Sequence, residues 1–408
     1  MPAVDDPGPG GRPAAGQAPF DLSELMNMNE PQPRYQRILQ AGGVLRPAEG
    51  FVLAGSRRAA TEVLRNPERF TSRGIVQLGN VRPLIPLSVD PPDHLKYRKI
   101  LDPLFAPRRM DAQEADITAR VNHFIDTFEQ RGSCDFTEDF AVPFPSSVFL
   151  GLMGLPWEEL DTFLRLKDGI LRPAGATMLE EGRVSREERR QIQARTAAEI
   201  YDYFNAILDE RAAEPRQDVL TALQDAEIDG VRLSREEILD ICFLFLIAGL
   251  DTVTDSLSCF FAFLAQNPSH RRQIAQDPSL INRAVEELLR WETPVPGVPR
   301  QAVVDTEVDG CPVKAGDIVN VSLGTANLDP GGLEDPFRVD LERDPNPHIA
   351  FGGGVHRCLG SHLARRELRI ALREWHRRIP DYELAGGAQL TYLPGLRQVV
   401  SLPLVWKL

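Results

Sequence analysis

Cysteine is scarce, with five in 408 residues, at 134, 242, 259, 311 and 358, and no C-x-x-C pair among them. An odd set without such spacing offers neither a disulfide framework nor a zinc ribbon, and a reducing compartment suits it best. Positive charge is in deficit: 46 Lys and Arg stand against 59 Asp and Glu, a net −13. That balance argues against a nucleic-acid binder, which neutralises phosphates with surplus cations, and leaves room only for a local basic patch. Long apolar runs are missing too. The longest covers ten residues, 241–250, and stops at Asp251, about half of the ~20 needed to cross a bilayer. The first nineteen residues hold five Pro and four Gly, with neither a basic start nor an apolar stretch. They cannot bury enough surface to order themselves, so 1–19 reads as a disordered tail, not a secretory signal or anchor. Together these absences point to a cytoplasmic globular protein.

What is present is helix with a minor β portion. No repeat or long Gly/Ser linker interrupts residues 20–408, which read as one domain. Short β-rich pieces such as 50–54 alternate with helical ones such as Arg57–Arg65. Helical segments then run from about 93 to 292, and strand-like segments return at 306–322 and 390–406, flanked by D-G and P-G turns. Three helices stand out. One starts at Ser234, with Glu237 completing a capping box, and runs to about 267, a span of roughly 32 residues or ~48 Å. It is apolar all round at 241–250, the mark of a helix in the centre of a large protein, yet carries Gly249, Asp251 and Thr252. A second, about 279–292, holds Glu287 and Arg290. A third, about 359–378, begins directly after Cys358.

The segment FGGGVHRCLG, 351–360, places that Cys after a glycine-rich loop and before a helix. Loop amides and the helix N-terminus are expected to lower the thiol pKa and favour a thiolate. Such a thiolate is a nucleophile, a zinc ligand or a haem ligand. A nucleophile needs a partner base and zinc needs further soft ligands, whereas His356 alone is close and no second Cys accompanies it. An axial ligand to haem iron fits best. A nucleotide cradle fails because Arg357 stands where the third Gly of G-x-G-x-x-G belongs. A plain buried Cys leaves the rest of the loop unexplained.

These residues resemble the cytochrome P450 family of haem-thiolate monooxygenases. Phe351, Gly354, Cys358 and Gly360 match its F-x-x-G-x-x-x-C-x-G signature, residues 248–252 (AGLDT) its oxygen-activation stretch, and 287–290 (ELLR) its E-x-x-R pair. The resemblance covers about residue 20 to the C-terminus. It implies a mainly α fold, one large helical domain enclosing haem b, in a soluble bacterial monomer. It further implies hydroxylation of a hydrophobic small molecule (a terpenoid, steroid, fatty acid or aromatic) with O2 and electrons from a separate ferredoxin and its NAD(P)H-dependent reductase.

Carried over residue by residue, the resemblance makes Cys358 the iron ligand, shielded by Phe351 and followed by Gly360. His94, Arg98, Arg300 and His356 take the haem propionates. Glu287, Arg290 and Arg343 form a structural core. Thr252 is to hydrogen-bond the dioxygen or a water, and Asp251 to relay protons, with Ala248 and Gly249 leaving room beside a locally opened helix turn. Leu244, Ile247, Ala248, Val295 and Leu396 line the substrate pocket, and 70–90 with 169–184 roof it. Arg108, Arg109, Arg357, Arg365, Arg366 and Arg369 are candidates for a ferredoxin dock near Cys358. Two other readings stay open: a haem-thiolate enzyme of different chemistry, such as ring coupling, dehydrogenation or peroxide-driven oxidation, and a haem protein that binds a ligand without turnover. Asp251 and Thr252 together favour ordinary oxygen activation.

Overall fold

Ser234 begins the longest helix. Its hydroxyl accepts from the Glu237 N–H (3.2 Å) while the Glu237 carboxylate accepts from the Ser234 N–H (2.7 Å), so the expected capping box forms. The helix spans Arg235–Gln266 and Pro268 opens the next one, Pro268–Gln276. In this computed structural model, which describes residues 22–80, 82–173, 185–228 and 230–408, it is the axis of the main core. The expected tail 1–19 lies outside the described residues.

Helices Glu114–Asp126, Pro143–Leu152, Leu160–Leu171, Arg186–Ala213 and Ser361–Arg378 surround this axis and contribute to the same apolar core. Phe136 stacks on Phe261 at 4.1 Å between ring centroids, and Trp375 meets both edge-on. Burying each such ring is worth ~1.5–3 kcal/mol, so this cluster fixes the last long helix against the central one.

The second and third expected helices start late. Residues Pro278–Leu280 form a 3-10 turn before helix Ile281–Glu292. The helix after Cys358 begins at Ser361, with Gly360 as its N-cap, which leaves Cys358 in the loop. A five-stranded sheet runs in the order Val44–Ala48, Phe51–Ala54, Ile318–Val321, Val298–Ala302, Phe70–Thr71. Ile318–Val321 is parallel to Phe51–Ala54 and antiparallel to Val298–Ala302. Within the expected helical series the structure adds strand Ser133–Asp135, paired with Pro403–Val405, and a small hairpin of Glu227–Ile228 and Val231–Arg232. Among the described residues no helix is long and apolar enough to cross a membrane.

Candidate active site

Gly354 sets the loop that carries Cys358. Its φ is +64°, and a Cβ there would lie 1.9 Å from the Leu64 carbonyl oxygen, so only glycine lets the loop press against the end of helix Arg57–Arg65. The Cys358 N–H then donates to the Phe351 carbonyl (2.9 Å) and the Gly360 N–H donates to the Cys358 sulfur. The other four cysteines are buried; Cys358 alone is exposed, and it lines a cavity of about 520 Å³.

The middle of the central helix lines the same cavity as Cys358. Leu244, Ala248, Gly249 and Thr252 line the cavity, as do Val295, Leu396 and, beside the cysteine, Phe351 and Gly360. Ala248 is exposed although its helix is otherwise deeply buried. Ile247, expected on this wall, is buried and does not line it. At 100° per residue it lies about 140° round the helix from Thr252, whereas 244, 248 and 252 share a face. Of the expected roof, Ser72, Val76, Pro86 and Leu87 line the cavity; residues 174–184 lie outside the described residues.

Against expectation, the central helix continues through 248–252 without an opened turn. The Thr252 hydroxyl donates back to the Ala248 carbonyl (3.3 Å), a resting-state bond compatible with a later turn toward the cavity. Gly249 lines the cavity and is small for a further reason: a Cβ there would sit 2.7 Å from the Phe149 ring.

Asp251, 1 % exposed, faces away from the cavity. Lys167 Nζ meets its Oδ1 at 2.8 Å and Arg172 Nη2 its Oδ2 at 2.7 Å, which accounts for a buried carboxylate. Arg172 also donates to Asp168 and to Gln398 Oε1 (2.6 Å). The sequence reading missed both cations. The signal was there for Lys167, which shares the apolar face of its helix with Phe163, Leu166 and Ile170. Asp255 and Glu367, also missed, are buried acids. Burial pushes both up, and the Asp251 carboxylate adds to the effect on Asp255.

Donors gather at one end of the cavity. His94, 1 % exposed, has neither ring nitrogen hydrogen-bonded, and lies edge-to-face with His356 at 4.4 Å. Burial, then the charge of Arg98, lowers His94 to about 4; burial, then Arg300 and His94, lowers His356 to about 3. Buried Arg300 donates to the neighbouring Pro299 carbonyl (2.7 Å), and burial lowers it to about 10. Arg98 donates to Asp102 and to the Arg357 carbonyl (2.8 Å). Ser72 Oγ joins His356 Nε2 (3.0 Å) to the Asp90 carboxylate (3.0 Å). Buried donors left without acceptors cost ~1–3 kcal/mol each, so this end of the cavity suits an anionic partner, as the two carboxylates of a haem would be.

The protein alone does not supply the expected low pKa of Cys358. Its exposed surface opens on the cavity, but the sulfur sits deep in the fold, and that burial outweighs the Gly360 N–H and the charges of Arg98, Arg357 and Arg365 and pushes the thiol up. A thiolate in this place calls for a bound metal cation. Among the described residues no group of three His, Cys, Asp or Glu could hold a metal ion, which leaves the zinc reading without ligands. One sulfur over an apolar cavity with anion-seeking donors at its edge fits haem.

Behind this site Glu287 and Arg290, both 0 % exposed, pair through two bonds of 2.7 Å. Arg343, Asn346 and the Asp340 N–H complete the Glu287 carboxylate at 3.1, 2.9 and 2.8 Å. Of the arginine cluster, Arg108, Arg109 and Arg357 are exposed, while Arg365 is bonded to Glu286 (2.7 and 2.8 Å) and Arg366 to Asp111. Arg369 donates to the Arg365 carbonyl.

The sequence profile described as Cytochrome P450 matches residues 182–375. The probable cytochrome P450 127A1 of Sinorhizobium fredii is 36% identical over 366 residues, 88% of this chain and 84% of that protein. A steroid C26-monooxygenase of Mycobacterium tuberculosis is 35% identical over 343 residues, 84% of this chain and 90% of that one. The crystal structure of the myxobacterial cytochrome P450 CYP267B1 in complex with myristic acid superposes with a TM-score of 0.85 at 31% identity, covering 95% of this chain and 100% of that one. With fold, cavity and relatives in agreement, the chain belongs to the cytochrome P450 family and is a haem b-dependent monooxygenase.

Proposed function

We propose that Cys358 binds the haem iron through its sulfur, that His94, Arg98, Arg300 and His356 hold the propionates, and that the enzyme hydroxylates a hydrophobic small molecule. One observation carries this reading: Cys358 and His94, with its unbonded nitrogens, line the same cavity as Ala248 and Thr252. Thiolate-ligated haem supplies oxygen activation when bound.

The chain's own residues do the rest. Leu244, Val295 and Leu396 hold an apolar molecule by shape and keep water out. Thr252 keeps its hydroxyl proton on the Ala248 carbonyl, from which a side-chain rotation would aim it into the cavity. Asp251 stands one residue away, its carboxylate turned from the cavity and held between two cations, so it relays protons toward that hydroxyl only after one of those pairs opens. By their names, one relative acts on steroids and one solved structure binds a fatty acid; the apolar walls of Leu244, Val295 and Leu396 suit molecules of that class. Electrons come from a separate ferredoxin with its NAD(P)H-dependent reductase, docking on Arg108, Arg109 and Arg357, and the enzyme works as a cytoplasmic monomer.

The test is the spectrum of the purified, reduced, CO-treated protein. Wild type is expected to show the strongly red-shifted Soret band of a thiolate haem, and Cys358→Ala to lose both that band and product formation. A haem-free wild type, or a band retained in the variant, refutes the assignment. A spin-shift screen with steroids and myristic acid then narrows the substrate.

A further inference from the structure

Val295 and Leu396 face the same cavity from sites about a hundred residues apart, and one residue, Arg397, joins the two segments through its backbone and its side chain. Arg397, 4 % exposed, pairs with the carboxylate of Glu292, 3 % exposed, the last residue of helix Ile281–Glu292. The Arg397 N–H donates to the Pro294 carbonyl (2.8 Å), and the Arg397 carbonyl accepts from Cys259 Sγ of the central helix (3.1 Å). Its guanidinium also donates to the Met28 carbonyl (2.9 Å) and lies 4.3 Å from the centre of the Tyr392 ring.

The other side of this joint is equally fixed. Thr293, fully buried, holds the left-handed φ of +38° that turns the chain out of the helix toward Val295. Its hydroxyl donates to the Arg290 carbonyl (2.8 Å) and accepts from Asn327 (2.9 Å). A non-glycine residue in this conformation persists only where its surroundings over-determine it. A buried ion pair is often no more stable than apolar residues of the same volume, so stability alone does not account for Glu292 and Arg397.

We propose that the Glu292–Arg397 pair is a positioning element: it sets the spacing of Val295 and Leu396, and with it which part of a bound molecule is presented for oxidation. This rests on the haem placement above. The test uses the haem-loaded enzyme and two nitrogen ligands read by their Soret shift. Imidazole reports access to the iron alone, whereas 4-phenylimidazole extends into the space between the two walls.

In Glu292→Gln and Arg397→Met the ratio of the two dissociation constants is expected to move by about fivefold or more, with imidazole unchanged, and Arg397→Lys to return it to within about twofold. A merely structural role would lower thermal stability and leave that ratio alone. An unchanged ratio in both variants overturns the proposal, as does loss of haem in all three. If only Arg397→Met fails to load haem, Glu292→Gln reads the same pair. A wild type without an imidazole shift overturns the haem placement itself, which separates the two failures.

Discussion

His376 lies buried in the last turn of helix Ser361–Arg378, where Nδ1 donates to the Leu372 carbonyl (2.8 Å) and Nε2 accepts from the Tyr382 hydroxyl (3.4 Å). Both bonds suit the neutral ring, and burial, opposed by the Leu372 carbonyl and aided by Arg271, lowers its pKa to about 4. The unfolded chain takes up this proton near pH 6.5 and the folded one does not until about 4. Its contribution to stability is therefore complete above pH 6.5 and is lost as pH falls through that window. By pH 5 the loss is about 2 kcal/mol. Thermal unfolding of the haem-loaded protein between pH 7 and 5 is expected to fall more steeply for wild type than for His376→Gln; equal slopes would count against this account. Single residues were unevenly legible in the sequence. That Cys358 and Thr252 line one cavity was readable, because the motifs around them are local. Ile247 was misplaced by one step of helical phase, and the partners of Asp251 come from 79 and 84 residues upstream, beyond the reach of any local pattern.

At the scale of elements, the Glu287 carboxylate is where helix Ile281–Glu292 meets the loop that leads to Cys358. Arg290 carries the joint further, donating to the carbonyls of Asn327, Pro336 and Arg338 (3.2, 2.7 and 3.1 Å). Removing the negative charge leaves two guanidinium groups in the interior without their counter-ion, at a cost of roughly 3–5 kcal/mol. Glu287→Gln is expected to lower the denaturant midpoint and to speed haem loss, measured by transfer to apomyoglobin, before any effect on substrate affinity is seen. Unchanged haem retention would show that the network does not hold the loop. The helices themselves were legible because caps and apolar periodicity are local. Strand Ser133–Asp135 was not, since three residues show no alternation and their partner, Pro403–Val405, is 268 residues away. The start of the last helix was read two residues early because Leu359 continues the apolar pattern while the backbone is still turning at Gly360.

Over the whole molecule, the net charge of −13 sets a background that would repel the proposed ferredoxin if that donor is acidic, so such docking would have to be local. Helical content followed from composition and periodicity. The size of the cavity did not, because it depends on how distant segments such as Val295 and Leu396 are held. The sequence also could not show which arginines near Cys358 are engaged. Arg365 and Arg366 are tied to Glu286 and Asp111, so reversing them would disturb packing as well as charge. Arg108 and Arg109 project from the short helix Pro107–Asp111 and are exposed. Charge reversal at both is expected to slow ferredoxin-driven turnover about tenfold at low salt, an effect that shrinks as ionic strength rises and the screening length falls below ~10 Å. Substrate binding, followed by the spin shift, should stay at the wild-type value. Equal losses of turnover and binding, or a loss indifferent to salt, would place the electron donor elsewhere on the surface.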